Sequence, residues 1–270
     1  MKIKIAETTL NYKIHGTGKP IYFFHGMSLD STSMEEIYEP LMSDSNYQRI
    51  YLDLPGLGDS QDIKNIHNSD DVLQIVIEFI QQLSGNDPIM ICGHSFGGYI
   101  CLGLLVKLKD QITDVFLTSP VINADRDERD VSEHHNIFNG EVKLDKNKDY
   151  YQDFLASCVI INQTAWELYQ RMAIPGLKKN NRSFWSEIKT AHHYSFEFEK
   201  DIPLILENSK ANMTILLGKN DQVVGYRDQL KLLSSNNNVQ IAVLNNAGHN
   251  PFTDKFMDLK FYFDNFTKKY

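Results

Sequence analysis

The sequence predicts an α/β protein: a mostly parallel central sheet with helices on both faces, interrupted by an inserted helical segment. Three observations carry that prediction. Short apolar runs such as Ile21-Tyr22-Phe23-Phe24 and Ile89-Met90-Ile91-Cys92 alternate with helix-length amphipathic stretches, as buried parallel strands and their crossovers do. A glycine-rich junction, Gly93-His94-Ser95-Phe96-Gly97-Gly98, joins one such run directly to a helix-compatible one. The alternation then stops after Pro120 and resumes near Met213.

Lys2 to Glu7 and Leu10 to His15 alternate in polarity with period two, and Gly16-Thr17-Gly18 turns the chain. Pro20 to Phe24 reads as the first fully buried strand and ends at His25-Gly26. Ser33 to Met42 is the next helix, with Ser33 as N-cap and Glu36 closing a capping box. Arg49 to Leu52 is a strand stopped by Asp53-Leu54-Pro55-Gly56-Leu57-Gly58. Asp70 to Leu83 is helical, with Val72, Ile75, Val76, Phe79, Ile80 and Leu83 on one face.

The turn Asp87-Pro88 leads into the strand before the glycine-rich junction. Tyr99 to Lys109 follows as a helix, with Lys107 and Lys109 suited to its C-terminal dipole. Val115-Phe116-Leu117 is another strand, ending near Ser119-Pro120. The charge run Asp125-Arg126-Asp127-Glu128-Arg129-Asp130 opens the interruption, in which Tyr150 to Met172 and about Ser183 to Lys200 read as helices. Met213 to Leu217 and Val239 to Leu244 restore the strands. Pro251 to Phe266 closes the chain as a helix, with Pro251 in its first turn. Residues 1–120 and 201–270 are therefore expected to form the core, and residues 121–200 a helical cap.

With 270 residues, 42% hydrophobic and 23% charged, the chain suits one large α/β domain. A formal charge of −8 argues against nucleic-acid or anionic-membrane partners, which want a basic face. Cys92, Cys101 and Cys158 cannot all pair, so buried reduced thiols in a cytosolic protein are expected. No apolar leader is visible at Met1 to Ala6 and no run is long enough to span a bilayer, so a cytoplasmic location is expected.

A serine between two glycines at a strand-to-helix junction is a nucleophile elbow, with Gly93 and Gly97 standing where a side chain has no room. A serine hydroxyl needs a base, and a histidine base needs an acid to fix its tautomer. His249, in Asn245-Asn246-Ala247-Gly248-His249-Asn250, follows the last strand and precedes the last helix. Asp221, in Gly218-Lys219-Asn220-Asp221, follows the strand before, with Asp125 as the reserve acid. The order Ser95, Asp221, His249 is the one this architecture uses. An oxyanion needs preorganised N–H donors, for which the amides of Phe96 and of Met27, in His25-Gly26-Met27, are placed.

Other residues carry less. Asp53 is expected to shape its turn through side-chain-to-backbone bonds, and His94 to pack or bond locally. His134-His135 and His192-His193 are adjacent pairs that point apart, with no ligand spacing to complete a metal site. Gly16-Thr17-Gly18 is no phosphate loop. Trp166, Tyr169, Phe184, Trp185 and Tyr194 are expected to pack within the cap, some of them roofing the site.

These motifs, taken together with Asp53-Leu54-Pro55-Gly56-Leu57-Gly58-Asp59-Ser60, resemble the α/β-hydrolase superfamily in its cap-bearing branch, and they follow its order along nearly the whole chain. That branch is similar to esterases, cofactor-free haloperoxidase-like hydrolases, carbon–carbon bond hydrolases and proline iminopeptidases. The resemblance implies Ser95 as nucleophile, Asp221 as acid, His249 as base, and Met27 and Phe96 as oxyanion hole, with no cofactor and no metal. It departs from dehalogenases and epoxide hydrolases by having serine rather than aspartate at the elbow. It departs from iminopeptidases by lacking Gly-Gly-Pro after His25-Gly26.

The expectation is a serine hydrolase of a small or medium carboxylic ester acting through an acyl-enzyme. A carbon–carbon or aminopeptidase-like hydrolase is the alternative, and a non-catalytic receptor is disfavoured. A carbon–carbon bond substrate of the dienoic keto-acid class calls for a pocket cation, for which Arg171 and Arg182 are candidates. The partner is a small molecule, and the sequence leaves oligomeric state open.

Overall fold

The computed structural model describes residues 1–42, 46–189, 193–233 and 236–268. Ten strands and eleven α-helices follow one another among them. In chain order they begin β1 (Lys2–Ile5), β2 (Thr8–His15), β3 (Lys19–Phe24), α1 (Ser31–Met42), β4 (Tyr47–Leu52) and α2 (Ser69–Ser84). Next come β5 (Ile89–His94), α3 (Phe96–Leu108), β6 (Ile112–Thr118), β7 (Ile137–Phe138), α4 (Tyr151–Ser157) and β8 (Ile160–Ile161). Then come α5 (Gln163–Met172), α6 (Ile174–Lys179), α7 (Arg182–Ile188), α8 (Ile202–Glu207) and β9 (Asn212–Gly218). The chain ends with α9 (Arg227–Leu233), β10 (Val239–Leu244), α10 (Pro251–Asp254) and α11 (Phe256–Thr267).

Eight strands form one sheet in the order β1-β2-β4-β3-β5-β6-β9-β10. All neighbours from β4 to β10 run parallel, and only β1 and β2 are antiparallel. Parallel strands covered on both faces read as continuous apolar runs, because alternate side chains enter two different cores. In β3, Tyr22 and Phe24 join the core with Val72, Val76, Phe79 and Ile80 of α2, while Ile21 and Phe23 join Met34, Ile37 and Tyr38 of α1. In β5, Ile89 and Ile91 face the first core, and Met90 and Cys92 the second. Each such fully buried side chain contributes about 2 kcal/mol of transfer free energy.

The predicted fold class is the one observed, with local differences. Helix α1 begins at Ser31 rather than Ser33, because Asp30 caps it: the Thr32 N–H donates to Asp30 Oδ1 (3.1 Å) and the Ser33 hydroxyl to the Asp30 carbonyl (2.7 Å). The helix expected over Tyr150 to Met172 is cut in two. The Asp254 carboxylate accepts the N–H groups of Val159 and Ile160 there, drawing the chain out as β8. The stretch expected from Ser183 to Lys200 is helical only through α7, and among the described residues it then turns from His193 to a 3-10 turn at Glu199–Asp201. His192 lies outside the described residues. The last helix is interrupted at Lys255, where φ and ψ of −141° and 51° leave the helical region.

Candidate active site

Each candidate residue sits where a parallel strand ends. Strand β5 runs into α3 through Ser95, whose φ of 53° and ψ of −114° lie outside the regions a serine prefers. The turn is pinned on both sides. The Ser95 N–H donates to the Thr118 carbonyl (3.1 Å), and the Ser95 carbonyl accepts from Tyr99 and Val121 (3.1 Å each). Close approach demands glycine at 97, where a Cβ would stand 2.1 Å from the Phe24 carbonyl oxygen.

The end of β9 is pressed as tightly against the last loop. A Cβ at Gly218 would meet the Gly248 carbonyl oxygen at 2.1 Å, and the Asn220 N–H donates to the Ala247 carbonyl (2.8 Å). These contacts set Asp221 beside His249. The structure brings the three residues into one line: Ser95 Oγ lies 2.9 Å from His249 Nε2, and His249 Nδ1 lies 2.9 Å from Asp221 Oδ2. A carboxylate can only accept, so Nδ1 carries the hydrogen and Nε2 is free to take one from Ser95. Asp221 is fully buried, its other oxygen accepting the N–H groups of Val223 (2.8 Å) and Val224 (3.0 Å). The reserve, Asp125, is exposed and caps its own loop at the Asp127 N–H.

Met27 lines the same cavity as Ser95 and His249, and Phe96 opens α3, where the helix dipole favours negative charge. Neither amide donates to a protein acceptor among the described residues. His94, beside the nucleophile, is bound through Nδ1 to Thr118, with its ring 5.0 Å from that of His249. Burial, then the neighbouring His249, hold His94 well below the usual histidine value, so it stays neutral. Asp53 shapes the neighbouring turn, accepting from the N–H groups of Ser31 (2.7 Å) and Asp59 (2.8 Å).

Two cavities meet at Ser95 and His249. One, of about 380 Å³, has an apolar wall of Leu29, Met172, Ala173 and Leu177. The other, of about 330 Å³, is walled by Val121, Tyr194, three cations (Arg126, Arg129 and Lys189) and one acid, Asp153, which lines both cavities. A larger cavity of about 620 Å³ opens at the far end of the sheet, where β6 and β9 begin, remote from this chemistry.

Tyr169 and Tyr194 face the cavities, whereas Trp166 is packed against Phe154 and Trp185 against Phe96. Arg171 is not a pocket cation: it pairs with Glu36 on the surface (3.0 Å). Arg182 is exposed and lines neither cavity. His134 Nε2 donates to the Leu155 carbonyl (2.8 Å).

Sequence reasoning missed the cavity cations and Asp254. Asp254 Oδ2 accepts the N–H of Gly248 (2.8 Å), next to His249, while Oδ1 holds Val159 and Ile160 (2.9 and 2.8 Å). Burial raises its carboxyl to about 6 against the pull of those donors. A lone aspartate in a helical pattern gives no sequence signal of such a role.

A family model described as alpha/beta hydrolase fold matches residues 19–256. An alpha/beta superfamily hydrolase from Oenococcus oeni PSU-1 superposes with a TM-score of 0.93 at 41% identity, covering 100% of this chain and 98% of that one. A thermophilic esterase from Thermogutta terrifontis superposes with a TM-score of 0.69 at 18% identity over 100% and 98%, a likeness of fold alone. Among curated proteins, a proline iminopeptidase from Saccharolobus solfataricus is 28% identical over 112 residues, 40% of this chain and 35% of its own length. The chain spans about a third of the length of the curated relatives it matches.

Proposed function

The chain belongs to the α/β-hydrolase fold family, and from that premise we propose that it is a serine hydrolase cleaving a small or medium carboxylic ester. The observation that carries this reading is the unbroken line from Ser95 Oγ through both nitrogens of His249 to Asp221, with both links at 2.9 Å. Ser95 attacks the ester carbonyl as His249 Nε2 takes its proton. Asp221, bound to Nδ1–H, stabilises the imidazolium that forms. The oxyanion settles on the Met27 and Phe96 amides, donors worth about 3 kcal/mol each in such sites. His249 returns the proton to the leaving alcohol, and a water molecule, activated by the same base, releases the acyl group from Ser95.

Residues 121–200 act as the cap that selects the substrate, supplying Arg126, Arg129, Lys189 and Tyr194 to one cavity and Tyr169, Met172 and Leu177 to the other. No helix among the described residues is long and apolar enough to cross a membrane. Three buried free thiols suit a reducing, cytoplasmic setting.

A second reading, hydrolysis of a carbon–carbon bond in a dienoic keto acid, is favoured by those cavity cations. In that cavity the cations outnumber the one acid, Asp153, and so disfavour the positive amine of an aminopeptidase substrate. A fluorophosphonate probe should label the native protein at Ser95, and Ser95→Ala should abolish both labelling and turnover of nitrophenyl esters, a fall of about 10⁶ in kcat. Asp221→Asn should cost about 10⁴. A folded native protein that stays unlabelled overturns the hydrolase reading, and turnover of keto acids above every ester reassigns the bond.

A further inference from the structure

The segment from Asp125 to Asp130 reads as a solvated charge run, yet the fold sorts its charges. The Arg129 N–H closes a turn on the Arg126 carbonyl (3.4 Å), which sets both arginine side chains on the cavity over Ser95. The acids are directed elsewhere. Asp130 pairs with Arg227 (2.9 Å) and Lys231 (3.8 Å), Asp125 accepts from its own loop, and Asp127 and Glu128 are exposed.

Arg129 is half-buried and occupied with main-chain oxygens: its guanidinium donates to the carbonyls of Asn123 (2.8 Å), Val223 (3.1 Å) and Ala124 (3.2 Å). It is thereby a fixed positive wall. Arg126 and Lys189, on the rim, have no ion-pair partner among the described residues. Desolvation, then the charges of Arg126 and Arg129, lower Lys189 from its ordinary value, as befits like charges sharing one cavity. Among the described residues lining this cavity Asp153 is the one carboxylate, and it is engaged by the Tyr169 hydroxyl. Three cations against that single acid leave the cavity net positive, and an anion between them relieves their mutual repulsion.

Resting on the ester-hydrolase reading above, we propose that Arg126, Arg129 and Lys189 form a subsite for a carboxylate carried on one arm of the substrate, the other arm lying along Leu29, Met172, Ala173 and Leu177. A planar carboxylate suits the fork of Arg126 and the point charge of Lys189. The preferred substrate is then a half-ester, or the ester of a carboxylated alcohol, rather than a neutral lipid-like ester. Ser95 and His249 stand where the two cavities meet, so the scissile bond falls between the charged and apolar ends.

The test compares matched substrates: mono-4-nitrophenyl glutarate against 4-nitrophenyl valerate, and 4-acetoxybenzoate against phenyl acetate. The kcat/KM ratio within each pair is read, so any general loss of activity cancels. The native protein should favour the anionic member of at least one pair by about tenfold. Arg126→Gln and Lys189→Gln should each cut that preference by about threefold, mainly through KM. Arg126→Glu should turn it toward the neutral ester.

Absence of preference in both pairs, or a preference unchanged in both glutamine variants, overturns the subsite. Titration of Ser95→Ala with glutarate separates this from the catalytic reading. If no ester is turned over but glutarate binds and Arg126→Gln weakens it, the hydrolase reading fails while the subsite stands. If turnover is robust and glutarate does not bind, the subsite fails alone.

Discussion

The sheet beneath Ser95 and the segment above it are held together in different ways. Below, six parallel strands bury alternate side chains in two cores, and a continuous ladder pairs their main chains with one another. Above, helices of six to ten residues are too short to be stable alone. Individual polar side chains finish their ends. Asn136 Nδ2 donates to the carbonyls of Leu155 (2.8 Å), in the last turn of α4, and Cys158 (2.9 Å), its C-cap, and Asn162 Oδ1 accepts the Ala165 N–H (2.8 Å) at the start of α5. Further along, rings do the joining: Phe196 stacks on Tyr99 of α3 at 4.1 Å. The difference teaches that the Ser95–His249–Asp221 line rests on a cooperative scaffold, whereas the segment over the two cavities hangs on a few separable contacts.

The sharpest way to break that contrast lies in the scaffold. Gly97→Ala would drive a methyl group into the main chain of Phe24 and His25. It should cost about 3 kcal/mol or more, read as a fall in the denaturant midpoint for the whole protein. A variant that kept native stability would show that the elbow yields far more than rigid packing allows.

Asp254 tests the joint between the two regions. Its carboxyl is raised in the folded protein to about 6 from an ordinary 3.8. The folded state therefore binds the proton more tightly, and this group's contribution is fullest below pH 4 and lost as pH rises through about 6. Asp254→Asn imitates the protonated acid, so relative to native its stability should improve by about 2 kcal/mol between pH 4 and 7.5. Its kcat should nevertheless fall several-fold, because the amide cannot accept from Gly248 as the carboxylate does. Thermal melts and kinetics over that pH range check both halves. A pH-independent stability difference would mean the joint carries no proton-linked term.

The smallest effect belongs to the upper segment. Asn136→Ala should cost about 1 kcal/mol and raise hydrogen exchange around α4. Exchange in β3 and β5 should stay unchanged. Exchange rising equally in the strands would erase the distinction drawn here.

The same contrast governs what could be read in advance. Gly93, Gly97 and Gly218 stand where main-chain atoms leave no room for a side chain, so these strand ends speak through residue type alone. The helices of the upper segment do not. Nothing local in Tyr150 to Met172 says that Asp254, almost a hundred residues on, will pull Val159 and Ile160 out of a helix. Arg126 and Arg129 alternate with acids in a run that looks solvated, and only the turn reveals which charges face inward. Arg171 and Arg182, equally plausible from sequence, point elsewhere because α5 offers Arg171 to Glu36.

That inward sorting of cations sits on a chain whose formal charge is −8. The far field of the molecule is therefore anionic, while the field inside the cavity is cationic. Dissolved ions silence the first before the second, since screening acts over about 10 Å at 0.1 M and reaches enclosed contacts far less. An anionic visitor thus meets an outer barrier that moderate salt removes and an inner well, backed by half-buried Arg129, that salt weakens less. Ionic strength, usually the enemy of attraction between opposite charges, becomes over that range an aid to encounter.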